Sequence, residues 1–449
     1  MFGRGPLRNA GGWDSRIAAT LCAMFASLAA RRQELPALAW SFAYFFCLLC
    51  GYYVLRPVRD EMGIVGGITN LPWLFTATFI VMLAAVPLFG WVTARLPRRV
   101  MLPAIYWFFI ANLLLFFVLM KNAVAPEWIA KAFFVWLSVF NLFVVSVFWS
   151  FMVDLFDNEQ GKRLFGLIAA GGSAGALAGP ALTVTLVVPL GIPNLLLISA
   201  LFLAGAVICI HRLLAWDTGR ASRTDAEHAA EDGPIGGSVW AGIGTVARSW
   251  YLLGICLYIV VFSLLFTFLY FEQARIVAAT IASGTERTQL FATIDLAVNL
   301  LALALQALAA APLLRWLGVA GTLALLPAVS VIGFGIVGFV PTLAVIVAFQ
   351  VLRRAGEYAI AKPARELLFA VLDREVKYKA KNFIDTVVFR GGDMASAWLI
   401  TGLKALGLTA AAIAAAAIPV ALAWLILSWL LGRRQEALAP AGRRMRGEG

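Results

Sequence analysis

The sequence predicts an all-α membrane protein with twelve transmembrane helices arranged as two parallel six-helix repeats. Three observations lead to this fold class. First, 62% of the 449 residues are hydrophobic and only 13% are charged, a balance typical of polytopic membrane proteins. Second, lysine and arginine are concentrated in every other connection between apolar runs. Third, polar landmarks recur at a constant interval of 219–220 residues.

Each apolar run is long enough to cross a bilayer, which takes about 20 residues. We number the predicted spans 1 to 12, and they cover 36–56, 70–93, 100–120, 132–153, 166–188, 193–214, 250–271, 289–312, 319–340, 342–362, 383–404 and 409–431. The apolar stretch 17–30 is too short to span and predicts an interfacial helix.

The predicted organisation has five parts. It comprises an N-terminal segment 1–35, a six-helix bundle 36–215, a polar linker 216–248, a second bundle 249–431 and a basic tail 432–449. The linker is expected to include a short surface helix around 238–248.

The distribution of lysine and arginine predicts the orientation. With the N-terminus inside, the inner segments carry 26 basic residues and the outer segments carry 7. Both termini and the linker are therefore expected in the cytoplasm, in a multi-pass protein of a bacterial inner membrane. This bias also accounts for the net charge of +12 without a nucleic-acid polymer as partner.

The repeat is visible in residues that occupy the same place in each half. Arg56 and Arg275, at the ends of spans 1 and 7, are 219 residues apart. A shift of 219–220 residues also relates Arg95 to Arg315, Asp154 to Asp373, Lys162 to Lys381, and Gly171-Gly172 to Gly391-Gly392. Several matches at one offset indicate two parallel repeats.

The composition argues against an enzyme, a metal site or a cofactor. Cys47 and Cys50 form a C-x-x-C inside span 1, where no second pair or histidine supports zinc. His211 and His228 lie at or in the linker, and no G-x-x-x-x-G-K-[ST] is present for a P-loop ATPase.

Charged residues close span 1, where Arg56, Arg59 and Asp60 follow an apolar run. Charge at membrane depth is costly and usually lines a cavity or a pathway. Arg56 and Arg59 share one face if the helix continues past Pro57, and two guanidiniums on one face suit an anion. The alternative is that both arginines cap the helix at the interface, where arginine snorkels.

Spans 10 and 11 are the most polar. Their charged and aromatic candidates for substrate binding are Arg353, Arg354, Glu357, Tyr358, Asp385, Arg390 and Asp393. Arginines that outnumber acids in a cavity would attract anions. The structural alternative is that these groups pair with one another, with Arg353 and Glu357 at i,i+4 as one such pair.

Two stretches resemble signatures of the major facilitator superfamily. Gly90-x4-Arg95-x2-Arg98-Arg99 is similar to its G-x-x-x-D-R-x-x-R-R loop, with Ala94 in place of the acid. Gly166-x8-Gly175-x3-Gly179-Pro180 is similar to part of its antiporter motif, although small residues at this spacing also permit close helix packing.

A narrower resemblance is to the plastid and intracellular-bacterial ATP/ADP translocases. Tyr53-x2-Arg56-x2-Arg59-Asp60 is similar to that family's Y-x-(I/L)-R-D-x-K-D. Three further stretches are similar to that family, in chain order. The first is Phe148-Trp149, which is followed by Asp154 and by Lys162-Arg163. The others are Tyr358-x4-Pro363-x-Arg365-Glu366 and Lys379-x-Lys381-x3-Asp385. The resemblance implies a twelve-span nucleotide exchanger with a central basic cavity.

Carried over residue by residue, the resemblance places Arg59 and Lys381 at functional lysines and Asp154 at a functional glutamate. Glu272 is a candidate for an expected acid in span 7. Residues expected in gating or coupling are Arg95, Asp154, Lys162, Glu272 and Asp373. The chain departs from the family at Arg59, at Asp154 and at Pro57, which replaces an acid, so that ATP itself stays open while an anionic substrate fits.

Two transport functions therefore follow from the sequence. One is alternating-access transport of an anionic, phosphorylated metabolite such as a nucleotide, by exchange or with protons. The other is proton-coupled export of drugs or small organic molecules. A membrane enzyme or structural protein is the alternative of another class. The expected partners are a small anionic solute, the lipid bilayer and possible coupling protons, and the expected state is a monomer.

Overall fold

The computed structural model describes residues 34–95, 97–221 and 241–445. Within these ranges the chain forms helices with short connections and contains no strand. Ten of the helices described there are long and apolar enough to cross a membrane. The predicted interfacial helix at 17–30 and residues 222–240 of the linker lie outside the described residues, while the end of the linker forms the helix Ala241–Ala247.

The span numbers of the sequence prediction are kept. Spans 1 to 6 are Leu35–Val65, Leu71–Arg95, Arg98–Lys121, Pro126–Leu155, Asn158–Leu190 and Ile192–Ala221. Spans 7, 8, 9 and 12 are Trp250–Thr280, Gly284–Leu308, Ala310–Phe339 and Ala410–Met445.

Spans 10 and 11 are each continuous helices that contain a π-helical segment. Span 10 consists of Leu343–Gly356, the π segment Glu357–Ala361 and Lys362–Leu368. Span 11 consists of Arg374–Phe383, the π segment Ile384–Val388 and Phe389–Ala405. Such segments are uncommon in proteins, and those that occur often lie at functional sites. Here they occur in the two spans with the most charge.

Most helices are longer than the apolar pattern predicts, and spans 1 and 12 show one reason. Span 1 continues past residue 56, through Pro57, to Val65, because Glu61 is buried in the protein with 1% exposure. Span 12 continues past 431 into the predicted tail, because Glu436 accepts a hydrogen bond of 3.1 Å from the backbone N–H of Ala320. Tertiary contacts, which hydropathy does not measure, extend both helices.

Spans 8 and 9 also differ from their predicted bounds. Span 8 ends at Leu308 rather than at residue 312, and the next helix begins at Ala310. The backbone of Gly318 is non-helical, with φ of 65°, so that span 9 proper begins after a kink near its predicted start. A positive φ of this size favours glycine.

The buried apolar side chains form two large clusters. One consists of residues between Ala37 and Leu213, from spans 1 and 3 to 6. The other consists mainly of residues between Val246 and Leu431, and Leu71, Leu74 and Phe134 join it from the first half of the chain. The first half therefore contributes to the second cluster through spans 2 and 4.

Glycines of span 5 allow it to approach span 1 closely. A Cβ atom on Gly175 would lie 2.9 Å from the backbone nitrogen of Cys50, and one on Gly179 would lie 2.7 Å from the carbonyl oxygen of Cys50. A Cβ atom on Gly166 would meet nothing within 4 Å. The second and third glycines of the antiporter-like motif are thus required by packing between spans 1 and 5.

Candidate functional site

Asp295 of span 8 bridges two of the predicted arginines. Its Oδ1 accepts a hydrogen bond of 2.6 Å from Nη2 of Arg354 in span 10 and lies 3.5 Å from Nη1 of Arg56 in span 1. The Asp295 side chain is 1% exposed, and its Oδ2 has no hydrogen-bond partner. One carboxylate therefore serves two guanidiniums, one from each half of the chain.

Arg59 lies beside a small cavity that also contacts span 11. Its guanidinium stacks over the ring of Phe134 at 4.2 Å, and its buried Nε has no hydrogen-bond partner. Arg390 and Asp393 line the same cavity, with Nη1 of Arg390 3.4 Å from Oδ2 of Asp393. The remaining lining residues are Phe75, Thr78 and Phe79. The cavity combines two cations, one acid and aromatic walls.

Arg353 is almost completely buried, with 1% exposure. Its guanidinium lies 4.7 Å from the ring centre of Phe266, and Nη2 is 3.4 Å from Oε1 of Gln350. The predicted ion pair with Glu357 is not formed, because the guanidinium of Arg353 lies over Phe266 and beside Gln350 instead, although the backbone N–H of Glu357 still donates to the carbonyl oxygen of Arg353 as in a regular helix. Glu357 instead lines a second cavity with Tyr258, and this cavity is also bounded by Phe262, Leu326, Ala361, Lys362 and Arg365.

Polar contacts join the two halves at the end of the molecule where span 1 ends. The hydroxyl of Tyr270 donates to Oδ1 of Asp60 at 3.1 Å. Arg287 donates to both carboxylate oxygens of Glu61, at 2.6 and 2.7 Å. We call this end of the molecule the closed end.

Glu272 also lies near the closed end and not beside the arginines. Its carboxylate accepts from Arg275 at 2.8 Å and from Lys404 at 2.7 Å. The acid that the resemblance led us to place at Glu272 therefore serves a local ion-pair cluster, and Asp295 is the acid of the second half that contacts Arg56.

Of the other predicted residues, Tyr358 lies close enough to Arg56 and Arg354 to interact electrostatically with both. Lys381 pairs with Glu366, the backbone carbonyl of Tyr358 accepts a hydrogen bond of 3.3 Å from Gln306, and Asp385 is exposed. The residues expected in gating are exposed at helix ends or in connections, namely Arg95, Asp154, Lys162 and Asp373. The structure thus buries Arg353, Arg354 and Asp393, half-buries Arg56, Arg59 and Arg390, and leaves the gating residues other than the buried Glu272 at the surface.

Asp295, Glu61 and Arg287 were missed by the sequence prediction. Asp295 carried a signal that could have identified it, since it is the only charged residue in the predicted span 8. An isolated acid in an apolar span is a functional candidate by that fact alone. Arg287 lay outside the predicted spans, where charge is ordinary, and Glu61 was not singled out from the charged stretch that closes span 1.

Comparisons with known proteins agree with this architecture. The model of the Major Facilitator Superfamily matches residues 41–361, and that of the TLC ATP/ADP transporter matches residues 322–436. No curated protein matches the sequence.

Solved structures with the same fold cover nearly the whole chain. A bacterial homologue of the iron transporter ferroportin in an inward-facing state has 13% identity and a TM-score of 0.60, and the match covers 90% of this chain and 99% of that one. The POT family transporter PepTSo has 13% identity and a TM-score of 0.58, covering 91% and 98%. A POT family transporter in complex with 5-aminolevulinic acid has 11% identity and a TM-score of 0.57, covering 90% and 96%.

The superfamily model spans more than two thirds of the sequence, and the solved structures that resemble the chain have the same fold. The superfamily match indicates a transporter rather than an enzyme. The chain is a secondary transporter that belongs to the major facilitator superfamily.

Proposed function

We propose that this transporter carries a small anionic solute, a phosphorylated metabolite such as a nucleotide. The observation that carries the proposal is an excess of buried positive charge. Arg59 and Arg353 have no carboxylate within 4 Å among the described residues, and Arg56 and Arg354 share the single carboxylate of Asp295.

Uncompensated guanidiniums in a protein interior are costly, and a bound anion offsets that cost. Guanidinium presents a planar fork of donors that fits phosphate and carboxylate groups. The orphaned Nε atoms of Arg59, Arg353 and Arg354 are donors that such a group could use. Cationic or neutral substrates would leave this charge uncompensated.

The TLC match supports a nucleotide over other anions. It covers residues 322–436 and so includes Arg353, Arg354, Lys381 and Arg390. The resemblance of the end of span 1 to the ATP/ADP translocases concerns Arg56 and Arg59, which supply the other half of the positive charge. The ligands named for the structural neighbours do not bear on this substrate, since those proteins share only the fold.

The proposed mechanism is alternating access between the halves 36–215 and 249–431. With the orientation predicted from the lysine and arginine bias, the closed end faces outward. Exchange and proton coupling are both compatible with this arrangement. The proposal places the protein as a monomer in a bacterial inner membrane.

The test is transport of labelled ATP, ADP and a simple phosphate ester into reconstituted vesicles. Arg59→Gln should abolish uptake or exchange while membrane insertion persists, and Arg59→Lys should retain part of it. Arg212 is the matched control, because its guanidinium also lies over an aromatic ring, that of Trp40 at 5.9 Å, but on an exposed surface. Arg212→Gln should transport normally.

Export of drugs is the competing function, and the partial antiporter motif was its main support. Packing against span 1 accounts for Gly175 and Gly179 of that motif. If Arg59→Gln transports normally, or if only cations and neutral compounds compete with the labelled substrate, the anion proposal is wrong and export takes its place.

A further inference from the structure

Asp295 contacts the two guanidinium groups that an anionic substrate would need. Its carboxylate contacts Arg354 at 2.6 Å and Arg56 at 3.5 Å, and no other carboxylate of the described residues lies within 4 Å of these guanidiniums. The Arg354 side chain is 6% exposed and the Arg56 side chain is 14% exposed. The group has two positive charges and one negative charge, and Oδ2 of Asp295 is left without a partner.

We propose that Asp295 is an internal counterion that occupies Arg56 and Arg354 in the empty transporter and that the anionic group of the substrate replaces it there. This inference rests on the proposed anion transport and assigns a role to a residue outside the predicted site. Carboxylate and phosphate oxygens accept from the same guanidinium donors, so the internal and the transported anion compete directly.

The two contacts differ in a way that sets the order of replacement. The contact with Arg56 is longer than that with Arg354 and joins spans 1 and 8, which belong to different halves. An entering anion therefore reaches the more accessible Arg56 side chain before that of Arg354. Binding then replaces the ion pair between Arg56 and Asp295, which joins the two halves, by an ion pair between Arg56 and the substrate.

If Asp295 competes with the substrate, the affinity for anions depends on the net charge of the group formed by Arg56, Arg354 and Asp295. The wild-type group has a net charge of +1, Asp295→Asn has +2, Arg56→Gln has 0, and the double variant Arg56→Gln/Asp295→Asn has +1 again. If Asp295 competes with the substrate, affinity for anions follows this order. One added charge at these distances is expected to change affinity by roughly tenfold or more.

The experiment measures binding of ATP and of inorganic triphosphate to purified full-length protein, by the ligand-dependent rise in unfolding temperature at several concentrations. Asp295→Asn should lower the apparent Kd about tenfold, Arg56→Gln should raise it by a similar factor, and the double variant should return close to wild type. Glu286→Gln is the control, because Glu286 is exposed on the same helix and should leave the Kd unchanged.

A purely structural role for Asp295 predicts a different pattern. Asp295→Asn would then bind no more tightly than wild type, and adding it to Arg56→Gln would not restore affinity, which would overturn the inference. If Asp295→Asn alone does not fold, the comparison of Arg56→Gln with the double variant tests the same single charge. If wild type itself binds neither anion, the proposed function fails and this inference fails with it.

Discussion

Glu61 and Arg287 form a bidentate ion pair that joins span 1 to the first turn of span 8. Nη2 of Arg287 lies 2.6 Å from Oε1 of Glu61, and Nε lies 2.7 Å from Oε2. The Arg287 side chain also donates to the carbonyl oxygens of Ile281 and Ala282, both at 2.9 Å. The arginine is thus fixed by the connection between spans 7 and 8, and the pair fastens the two halves at the closed end.

Glu61→Gln should loosen the closed end. Removing one member of a buried pair typically costs about 3–5 kcal/mol, because the other charge is left without its partner. The substitution therefore destabilises the conformation in which the two halves meet at the closed end. Thr78 is buried in the cavity beside Arg59, so a cysteine placed there should be alkylated several-fold faster in the variant. The labelling rate would be compared in a background free of the native cysteines.

Glu286→Gln provides the control for this labelling experiment, since Glu286 is an exposed acid of the same helical turn. It should leave the labelling rate at Thr78→Cys as it is. Equal rates in Glu61→Gln and the parent would show that the ion pair does not hold the closed end.

Two glycines of one motif should respond differently to alanine. In Gly175→Ala the new methyl group would meet the backbone of Phe46 and Cys50, so span 5 must move away from span 1, at about 1–3 kcal/mol. In Gly166→Ala the methyl group meets nothing within 4 Å, and alanine favours a helix by up to about 1 kcal/mol. Thermal unfolding in detergent should give a lower midpoint for Gly175→Ala and an unchanged or higher one for Gly166→Ala.

An antiporter role for these glycines predicts another result. Both variants would then lose transport while their unfolding midpoints stayed near that of the parent.

The fold could be predicted from the sequence to a large extent, because apolar length and the separation of polar landmarks are directly visible in it. The superfamily match confirms the fold class that these patterns indicated. The errors lie at helix ends. Charge ended the predicted span 1 at residue 56, but Glu61 finds a partner in Arg287 and the helix continues to Val65.

The arrangement of the charges could be predicted only in part. The sequence identified Arg56 and Arg354 as charges in the interior, but it could not show that one carboxylate lies between them, since Asp295 is 239 residues from one and 59 from the other. It paired Arg353 with Glu357 by helical spacing, but the guanidinium of Arg353 lies over Phe266 and beside Gln350 instead. Contacts between distant helices and local departures from α-helical register are set by packing.

The orientation of the chain is a separate prediction. A cysteine at Lys121, which ends span 3, should react with an impermeant reagent from outside intact cells. A cysteine at residue 225, in the linker sequence, should react only after the membrane is permeabilised. Both follow from the excess of lysine and arginine in the segments assigned to the cytoplasm. The opposite pattern at the two positions would reverse the orientation and make the closed end cytoplasmic.

The last prediction concerns the aromatic contact of Arg353. Its guanidinium lies 4.7 Å from the ring centre of Phe266 and 5.7 Å from that of Phe262, and no carboxylate of the described residues lies within 4 Å. A desolvated cation–π contact is worth about 2 kcal/mol and depends on the flat guanidinium lying over the ring. Phe266→Leu should therefore misplace Arg353 and raise the half-saturating concentration of an anionic substrate by roughly tenfold.

Arg353→Lys should have at least as large an effect, because a compact, strongly hydrated ammonium is costlier to bury than a guanidinium. Phe202→Leu is the matched control, since Phe202 packs on Phe46 within the first half and no arginine of the described residues lies over its ring. The measurement is uptake of labelled nucleotide against its concentration in reconstituted vesicles. If Phe266→Leu behaves like Phe202→Leu while Arg353→Gln abolishes transport, Arg353 acts through its charge alone and the ring does not position it.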